Sequence, residues 1–347
     1  MKICFISGPY KPGKCGISDY ITLLSAKIKN HGHQAQHIAI DAGSTLSDIV
    51  CSLPAADLYS IQFAPFSFSP TGLSQKKLLG LAKSLNGENT HINFHEIWIG
   101  AYPKANWKEK AIGWLQKREI VKFIKISKPS TITCSNAAAL DRLKQVGIDA
   151  KYLYLFGNIP YSPSEKHDSL NHLNIVFFGT LYERFPYDQL AKALIYISQH
   201  LRKQIYIKII GRQREGVGLG YIKKVSQTYG FDISHLGELS CSKISEELQR
   251  SDLGISTTPY DILGKSGATA TMLEHGLPII SYDDGDTPSE KLFTPKQFTE
   301  QIVLLNDKLC LKKCKSLLVK PRKQFFHGVK FTAGKLIDMA ENISTNE

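Results

Sequence analysis

Residues 174–180, NIVFFGT, with PYDQLAKALIYISQHL at 186–201 and QIYIKIIG at 204–211, decide how the second half of the chain is read. A short apolar run, a glycine turn, a segment with apolar residues at helical spacing and a second apolar run describe a strand–helix–strand unit. The order then continues. YIKKVSQTYG (221–230) reads as helix, HLGEL (235–239) as a short strand and KISEELQRS (243–251) as helix. DLGIST (252–257) reads as strand, GATATMLEHG (267–276) as helix and PIISYD (278–283) as strand. Such alternation builds a mostly parallel sheet covered by helices.

The first half carries the same pattern. KICFIS (2–7) is strand-like and GPYKPGKCG (8–16) a loop. ISDYITLLSAKIKNHGH (17–33) places Ile17, Ile21, Leu24 and Ile28 on one helical stripe, with Gly32 where a helix end favours a left-handed residue. HIAI (37–40), DLYSIQF (57–63), HINFHEIWI (91–99) and TITCS (131–135) are further strand-like runs. GNIPYSPSEKHDSLN (157–171), rich in Pro, Ser and polar residues, reads as a linker. VKFTAGKLIDMAENI (329–343) is a closing amphipathic helix, and no short-period repeat is visible.

A length of 347 residues suits two domains, and 42% hydrophobic with 21% charged residues is a globular balance. No apolar run reaches the roughly 20 residues that span a bilayer. The start MKICFISGPY lacks the apolar stretch and cleavage site of a signal peptide, so secretion is not expected. An integral membrane protein, a fibre and a disordered chain are excluded. The seven cysteines are scattered, with no CxxC pair, and read as reduced cytosolic thiols; Cys310 and Cys314, four apart, do not make a zinc site. The net charge is +12, and residues 1–160 hold 19 basic and 10 acidic side chains against 24 and 21 in the rest. The first half is therefore the more attractive to anions.

Parallel-sheet domains place ligands at the carboxyl ends of their strands, so loops after strands hold the candidates. GPYKPGKC fits a phosphate-binding loop through Gly8, Gly13 and Lys14, but Cys15 stands where a magnesium-binding hydroxyl is needed. Gly13 and Gly16 instead suit a backbone passing close to a ligand before a helix start, and a plain glycine turn would look the same. FHEIW puts His95, Glu96 and Trp98 at a strand end, either as functional groups or as a satisfied histidine beside a core tryptophan. His31 and His33 flank a helix-stopping glycine. Gly264, Lys265, Ser266 and Gly267 precede a helix, and free amides, a helix dipole and a lysine make a phosphate-binding end. Glu274 stands near the end of that helix, before Gly276 and Pro278. Asp283, Asp284 and Asp286 read as an acidic turn rather than a metal site. Lys104, Lys108, Lys110, Lys117, Arg118, Lys122, Lys125 and Lys128, interleaved with Trp107, Trp114, Leu115, Val121 and Phe123, read as a solvated face over a core stripe or as a surface for an anionic membrane or acidic substrate.

The glycine loop with GISDY, KNHGHQAQHIAI, FHEIW, IIGR, the HLGEL–SDLGIST spacing and HGLPII together resemble a GT-B glycosyltransferase, closest to a divergent branch of retaining family 4. That resemblance covers nearly the whole chain. It implies an α/β fold of two Rossmann-like, doubly wound domains facing across a cleft: an acceptor domain at 1–160, a donor domain at 161–325 and a helix at 326–347 crossing back. It implies transfer of a sugar from a nucleotide-diphosphate sugar to a hydroxyl acceptor, without cofactor or metal. Gly16 would approach the donor and His95 would face the sugar. Arg212 would reach the diphosphate, Gly237, Glu238 and Leu239 would run beside the base, and Gly264 to Gly267 would cradle the diphosphate. The two glutamates of the family pattern would fall at Leu263 and Thr271 and are absent; the family's Arg and Lys after the FFG strand are replaced near Thr180 and Pro186, with Arg184 between them. Lys265, with Arg184 or Arg212, would supply the cations. Were the reaction to invert, Asp19 or Glu96 would be the base. The expected partners are a sugar nucleotide and a saccharide, small-molecule or lipid-linked acceptor, in the cytoplasm, with peripheral membrane contact and no nucleic acid. The rivals are a GT-B epimerase, a P-loop kinase or ATPase built on Gly8–Lys14, and a non-catalytic sugar-nucleotide sensor.

Overall fold

Among the described residues twelve short runs form strands, most of them buried along their length, as parallel strands flanked by helices are. The computed structural model describes residues 1–41, 43–73, 75–102, 105–164, 171–213, 217–284, 296–305 and 310–344. The chain forms two compact units, one of Met1–Leu155 with Gly328–Glu347 and one of Phe156–His327.

The first unit contains β1 (Lys2–Ser7), β2 (Gln34–Ala39), β3 (Leu58–Phe63), β4 (Thr90–Phe94), β5 (Thr131–Cys134) and β6 (Lys151–Tyr152). They pair in parallel in the order β2-β1-β3-β4-β5-β6. Phe63 anchors one side of the sheet, with ring centroids 5.0 Å from Phe94, 5.6 Å from Phe68 and 6.2 Å from Phe123. The helix Gly16–Asn30 buries Ile21, Leu24 and Ile28 and stops at His31 and Gly32, whose φ is +81°. Helix Gly328–Ser344 packs against it, with Ala333 and Leu336 fully buried, and Thr332 Oγ1 donates to the Tyr154 carbonyl at 2.9 Å.

The second unit contains β7 (His172–Phe178), β8 (Gln204–Ile210), β9 (Asp232–Gly237), β10 (Leu253–Pro259), β11 (Ile279–Tyr282) and β12 (Ile302–Leu304). All pair in parallel in the order β12-β11-β10-β7-β8-β9. Its core gathers Ile175, Phe177, Leu194, Ile207, Ile209 and Ile255. The fold is the expected two-domain α/β, Rossmann-like one.

Some local expectations change. β4 ends at Phe94, earlier than the apolar run through Ile99 suggests, because the His95 amide still bonds Phe63 O at 2.9 Å while β3 itself ends at Phe63. The first part of the expected linker is not a free tether. Glu274 Oε1 accepts the Gly157 amide at 2.8 Å, Ser245 Oγ accepts the Ser162 amide at 2.9 Å, and Gln249 Nε2 donates to Ser162 O at 2.7 Å. Its polar residues mark a path without regular structure that is nonetheless fastened to the second unit. Residues 165–170, Lys104, Asp286 and the side chain of Cys310 lie outside the described residues.

The basic segment forms helix Trp107–Ser127, started by an Asn106–Glu109 capping box. Its buried face is Gly113, Gln116, Ile120, Phe123 and Ser127, whereas Trp107, Trp114 and Leu115 are exposed. The tryptophans are thus surface groups rather than core, with Arg118 stacked 4.6 Å from the Trp114 ring centroid.

Gly276 adopts φ +72° after helix Gly267–Glu274, and a Cβ there would stand 2.2 Å from the Lys323 carbonyl oxygen. Left-handed strain and overpacking then act together, so Gly276→Ala should lower stability by at least about 2 kcal/mol. Urea unfolding followed by circular dichroism measures it; a loss under a few tenths of a kcal/mol would contradict this packing.

Candidate functional site

In the second unit the strand order reverses at β7, with β8 on one side and β10 on the other. Connections at such a point leave on opposite faces and open a crevice at the carboxyl ends of the strands. Gly179 follows β7 with φ +90°, and a Cβ on it would come within 2.9 Å of the Ala268 Cβ. The first turn of helix Gly267–Glu274 is therefore seated directly on the end of β7. Gly211 donates its amide to Gly237 O at 2.8 Å, and Gln213 Nε2 donates to Gly179 O at 2.8 Å, which knits the ends of β7, β8 and β9 into one rim.

The helix start is partly capped. Ser266 Oγ accepts the Thr269 amide at 3.2 Å and the Thr269 hydroxyl at 2.9 Å, and Ser256 Oγ lies 2.7 Å from that hydroxyl. The amides of Gly267 and Ala268 meet no acceptor among the described residues. They carry the positive end of the helix dipole. Lys265 ends the 3₁₀ turn Tyr260–Lys265 that delivers the chain from β10; it is exposed, and its ammonium makes no hydrogen bond or ion pair among the described residues. Gly264, Lys265, Ser266 and Gly267 thus form one continuous anion-favouring edge.

Arg212 and Glu238 also reach the rim, bonded to each other at 2.9 Å, both well exposed. Gly237 adopts φ +67° beneath them, and Leu239 is half-buried beside them. Arg184 is exposed in the loop after β7. Its charge works against the burial that pushes the Tyr282 phenol up to about 12. Glu274 does not join this group. It ends the helix about 12 Å along from the Ser266 cap, is buried, and its carboxylate accepts the Gly157 amide. Leu263 is buried, and Thr271 turns its hydroxyl onto Gly267 O at 2.8 Å.

In the first unit the glycine loop bonds to itself. Asp19 Oδ1 accepts the Gly13 amide at 2.6 Å, Ser18 Oγ accepts the Lys11 amide at 2.9 Å, and the Lys14 amide bonds Lys11 O at 3.1 Å. The amides a phosphate cradle would need are already occupied, which removes the physical basis of a P-loop. The Asp19 carboxylate braces this loop, a task different from that of a base. A Cβ at Gly13 or Gly16 would meet nothing within 4 Å, so the space over both is open.

His95 is half-buried just past β4, with the Tyr20 ring nearly perpendicular to it and the ring centroids 5.0 Å apart. Its Nε2 lies 2.8 Å from Gln62 Oε1 and 3.3 Å from Asn93 Nδ2. Burial lowers its pKa to about 4, and burial with the nearby His95 charge lowers that of His91 to about 3. Glu96 points its exposed residue to solvent, with its amide 3.4 Å from Phe63 O. Beneath His95 lie residues that motif reading passed over: Ser60, Gln62, His91, Asn93 and Thr133, all buried. Their signal is polar residues at every second position in strands that should be apolar on both faces. Among the described residues no three His, Cys, Asp or Glu side chains converge as metal ligands.

No protein-family model matches this chain, and no curated protein does. Solved structures do. HepE from Anabaena, in complex with UDP and glucose, is 13% identical with a TM-score of 0.56, covering 100% of this chain and 99% of that one. Trehalose-6-phosphate from E. coli bound with UDP-2-fluoro glucose, as that structure is described, is 11% identical at 0.55, covering 100% and 98%. A putative UDP-N-acetylglucosamine 2-epimerase from Listeria monocytogenes is 11% identical at 0.53, covering 100% and 97%. At these identities the likeness establishes the shared fold.

His91 and His95 are neutral when folded but take up protons near pH 6.5 when unfolded. The unfolded chain then binds more protons between about pH 4 and 6.5, so stability rises with pH through that window. The stabilisation is complete above pH 6.5 and is lost on acidification. The urea midpoint should fall between pH 7.5 and 5, with a shallower fall in His91→Gln; equal slopes for both proteins would count against it.

Proposed function

We propose that this protein transfers a glycosyl group from a nucleotide-diphosphate sugar to a hydroxyl acceptor. The observation that carries the reading is the helix start at Ser266–Gly267, seated on Gly179 at the strand-order reversal with Lys265 beside it. The bond from the sugar anomeric carbon to the diphosphate breaks, and charge develops on the leaving oxygen as the sugar becomes oxocarbenium-like. Fixed amides and an ammonium stabilise that charge as it forms. Lys265, Ser266 and Gly267 take this role, with Gly264 shaping the turn and Arg212 or Arg184 adding charge at the rim. Gly237, Glu238 and Leu239 take the base. His95 takes a sugar hydroxyl.

Retention is the outcome this reading favours. The acceptor oxygen bonds the anomeric carbon, and its proton passes to the departing phosphate, so no side-chain base is required. The engagement of Asp19 with Gly13 supports this, leaving Glu96 as the carboxylate for an inverting route. The neighbours described with UDP or a UDP-sugar make UDP the first nucleotide to test. The exposed Trp107 and Trp114 with Lys117, Lys122 and Lys125 support peripheral contact with an anionic lipid surface, where a lipid-linked acceptor would reside. Among the described residues no helix is long and apolar enough to cross a membrane. Cys4, Cys134 and Cys314 are buried free thiols, in keeping with a cytoplasmic setting.

Lys265→Ala should lower turnover of a UDP-sugar by about 100-fold or more with an unchanged circular dichroism spectrum; near-normal turnover would remove its assigned role. Product analysis with donor alone separates transfer from epimerisation, since an epimerase converts the sugar with no acceptor present. UDP at a hundredfold excess over its Kd should stabilise the folded state by about 2.7 kcal/mol. A melting temperature unmoved by UDP, GDP, ADP and TDP would exclude a nucleotide site. Trp114→Ala should weaken co-sedimentation with anionic vesicles, and salt should weaken it further; equal sedimentation with neutral vesicles would refute the lipid contact.

A further inference from the structure

We propose that a closed ring of five buried side chains, Gln62, Ser60, His91, Thr133 and Asn93, holds His95 in the Nε2–H tautomer and thereby presents its Nδ1 as a hydrogen-bond acceptor for a substrate hydroxyl. The substrate part rests on the reading of His95 given above; the ring does not.

The members come from adjacent strands in register, Ser60 opposite His91 and Gln62 opposite Asn93 between β3 and β4, and Asn93 opposite Thr133 between β4 and β5. Each is at most 5% exposed, so water does not compete for their bonds. Only one sense of donation agrees with the two amides as they stand. Gln62 Nε2 can only donate, and it gives a proton to Ser60 Oγ at 2.8 Å. Ser60 then donates its own proton to His91 Nδ1 at 2.9 Å. With Nδ1 accepting, neutral His91 carries its proton on Nε2 and donates to Thr133 Oγ1 at 2.8 Å. Thr133 donates to Asn93 Oδ1 at 2.9 Å, and Asn93 Nδ2 returns a proton to Gln62 Oε1 at 3.0 Å. Every donor in the circuit has an acceptor, and bonds running one way around a buried ring polarise one another in the same sense.

One lone pair of Gln62 Oε1 remains, and His95 Nε2 stands 2.8 Å from it. An amide oxygen cannot donate, so the proton is on Nε2. Asn93 Nδ2, at 3.3 Å, is the longer contact and already serves Gln62. His95 Nδ1 is therefore an unprotonated acceptor, and it makes no hydrogen bond among the described residues. Low pKa values keep both imidazoles neutral at pH 7, as the circuit requires. Gln62 is the positioning residue: it reads the sense of the ring and transmits it to a histidine that three of the ring members do not touch.

Long-range proton–nitrogen correlation spectra of histidine-labelled, ligand-free protein test this directly. His95 should give the pattern of a single Nε2–H tautomer. Ser60 makes no hydrogen bond with His95, yet Ser60→Ala removes one of the two ring bonds that hold the Gln62 amide and the bond that fixes the His91 tautomer, and should convert His95 to a mixture of tautomers. A wild-type His95 that is Nδ1–H or already mixed would overturn the ring, as would an unchanged pattern in Ser60→Ala. Should that variant not fold, Thr133→Val, which breaks the ring on its far side, is expected to give the same mixture and is read the same way. Because no sugar nucleotide is present, a protein with the expected spectrum that transfers no sugar would sink the transferase reading and leave the ring standing.

Discussion

The start of an α-helix has amides with no partner inside the helix, and where they point determines what a parallel-sheet domain can hold. In the second unit the placement of helix Gly267–Glu274 depends on the missing side chain of Gly179. With a Cβ at that position the helix could not rest on the end of β7 beside Ala268. This close approach brings the first turn of the helix, with its Gly267 and Ala268 amides, against the strand ends where Gly179 and Gly211 also meet. Ser266, Thr269 and Ser256 keep the arrangement rigid by hydrogen bonding among themselves.

The first unit begins from the same layout, a strand, a glycine loop and a helix start, and reaches a different electrostatic result. There Ser18 and Asp19 turn back from the first turn of the helix and take up the loop amides. A negative carboxylate against the loop cancels the positive field that a phosphate would seek. Two Rossmann-like units thus share a backbone plan but divide the work: one keeps its anion-favouring amides open, while the other spends its polar groups on a buried circuit beneath a histidine.

The fold is legible in the chain because its signals are local. Apolar runs such as NIVFF and QIYIKII, a helical stripe such as Ile21, Leu24 and Ile28, and stops such as Gly32 lie within a few residues of what they determine. The loop from Gly264 to Gly267 is legible for the same reason, as glycines and a lysine just before a helix. The ring is not, since four of its five bonds join residues about 30 to 40 positions apart and exist only once three strands align. Glu274 looks like a surface charge in sequence, but its acceptor role is set by Gly157, 117 residues away. The end of β4 at Phe94 depends on where β3 stops, which the run HINFHEIWI does not contain.

The first unit is discontinuous: it is built from Met1–Leu155 and completed by Gly328–Glu347. During synthesis residues 1–155 emerge long before the helix Gly328–Ser344 that packs against the helix Gly16–Asn30. The second unit is a single uninterrupted stretch, Phe156–His327, and has all of its strands as soon as it leaves the ribosome. The second unit can therefore mature first in time although it comes second in sequence. The early half waits, with one helix uncovered, for the helix Gly328–Ser344 to arrive.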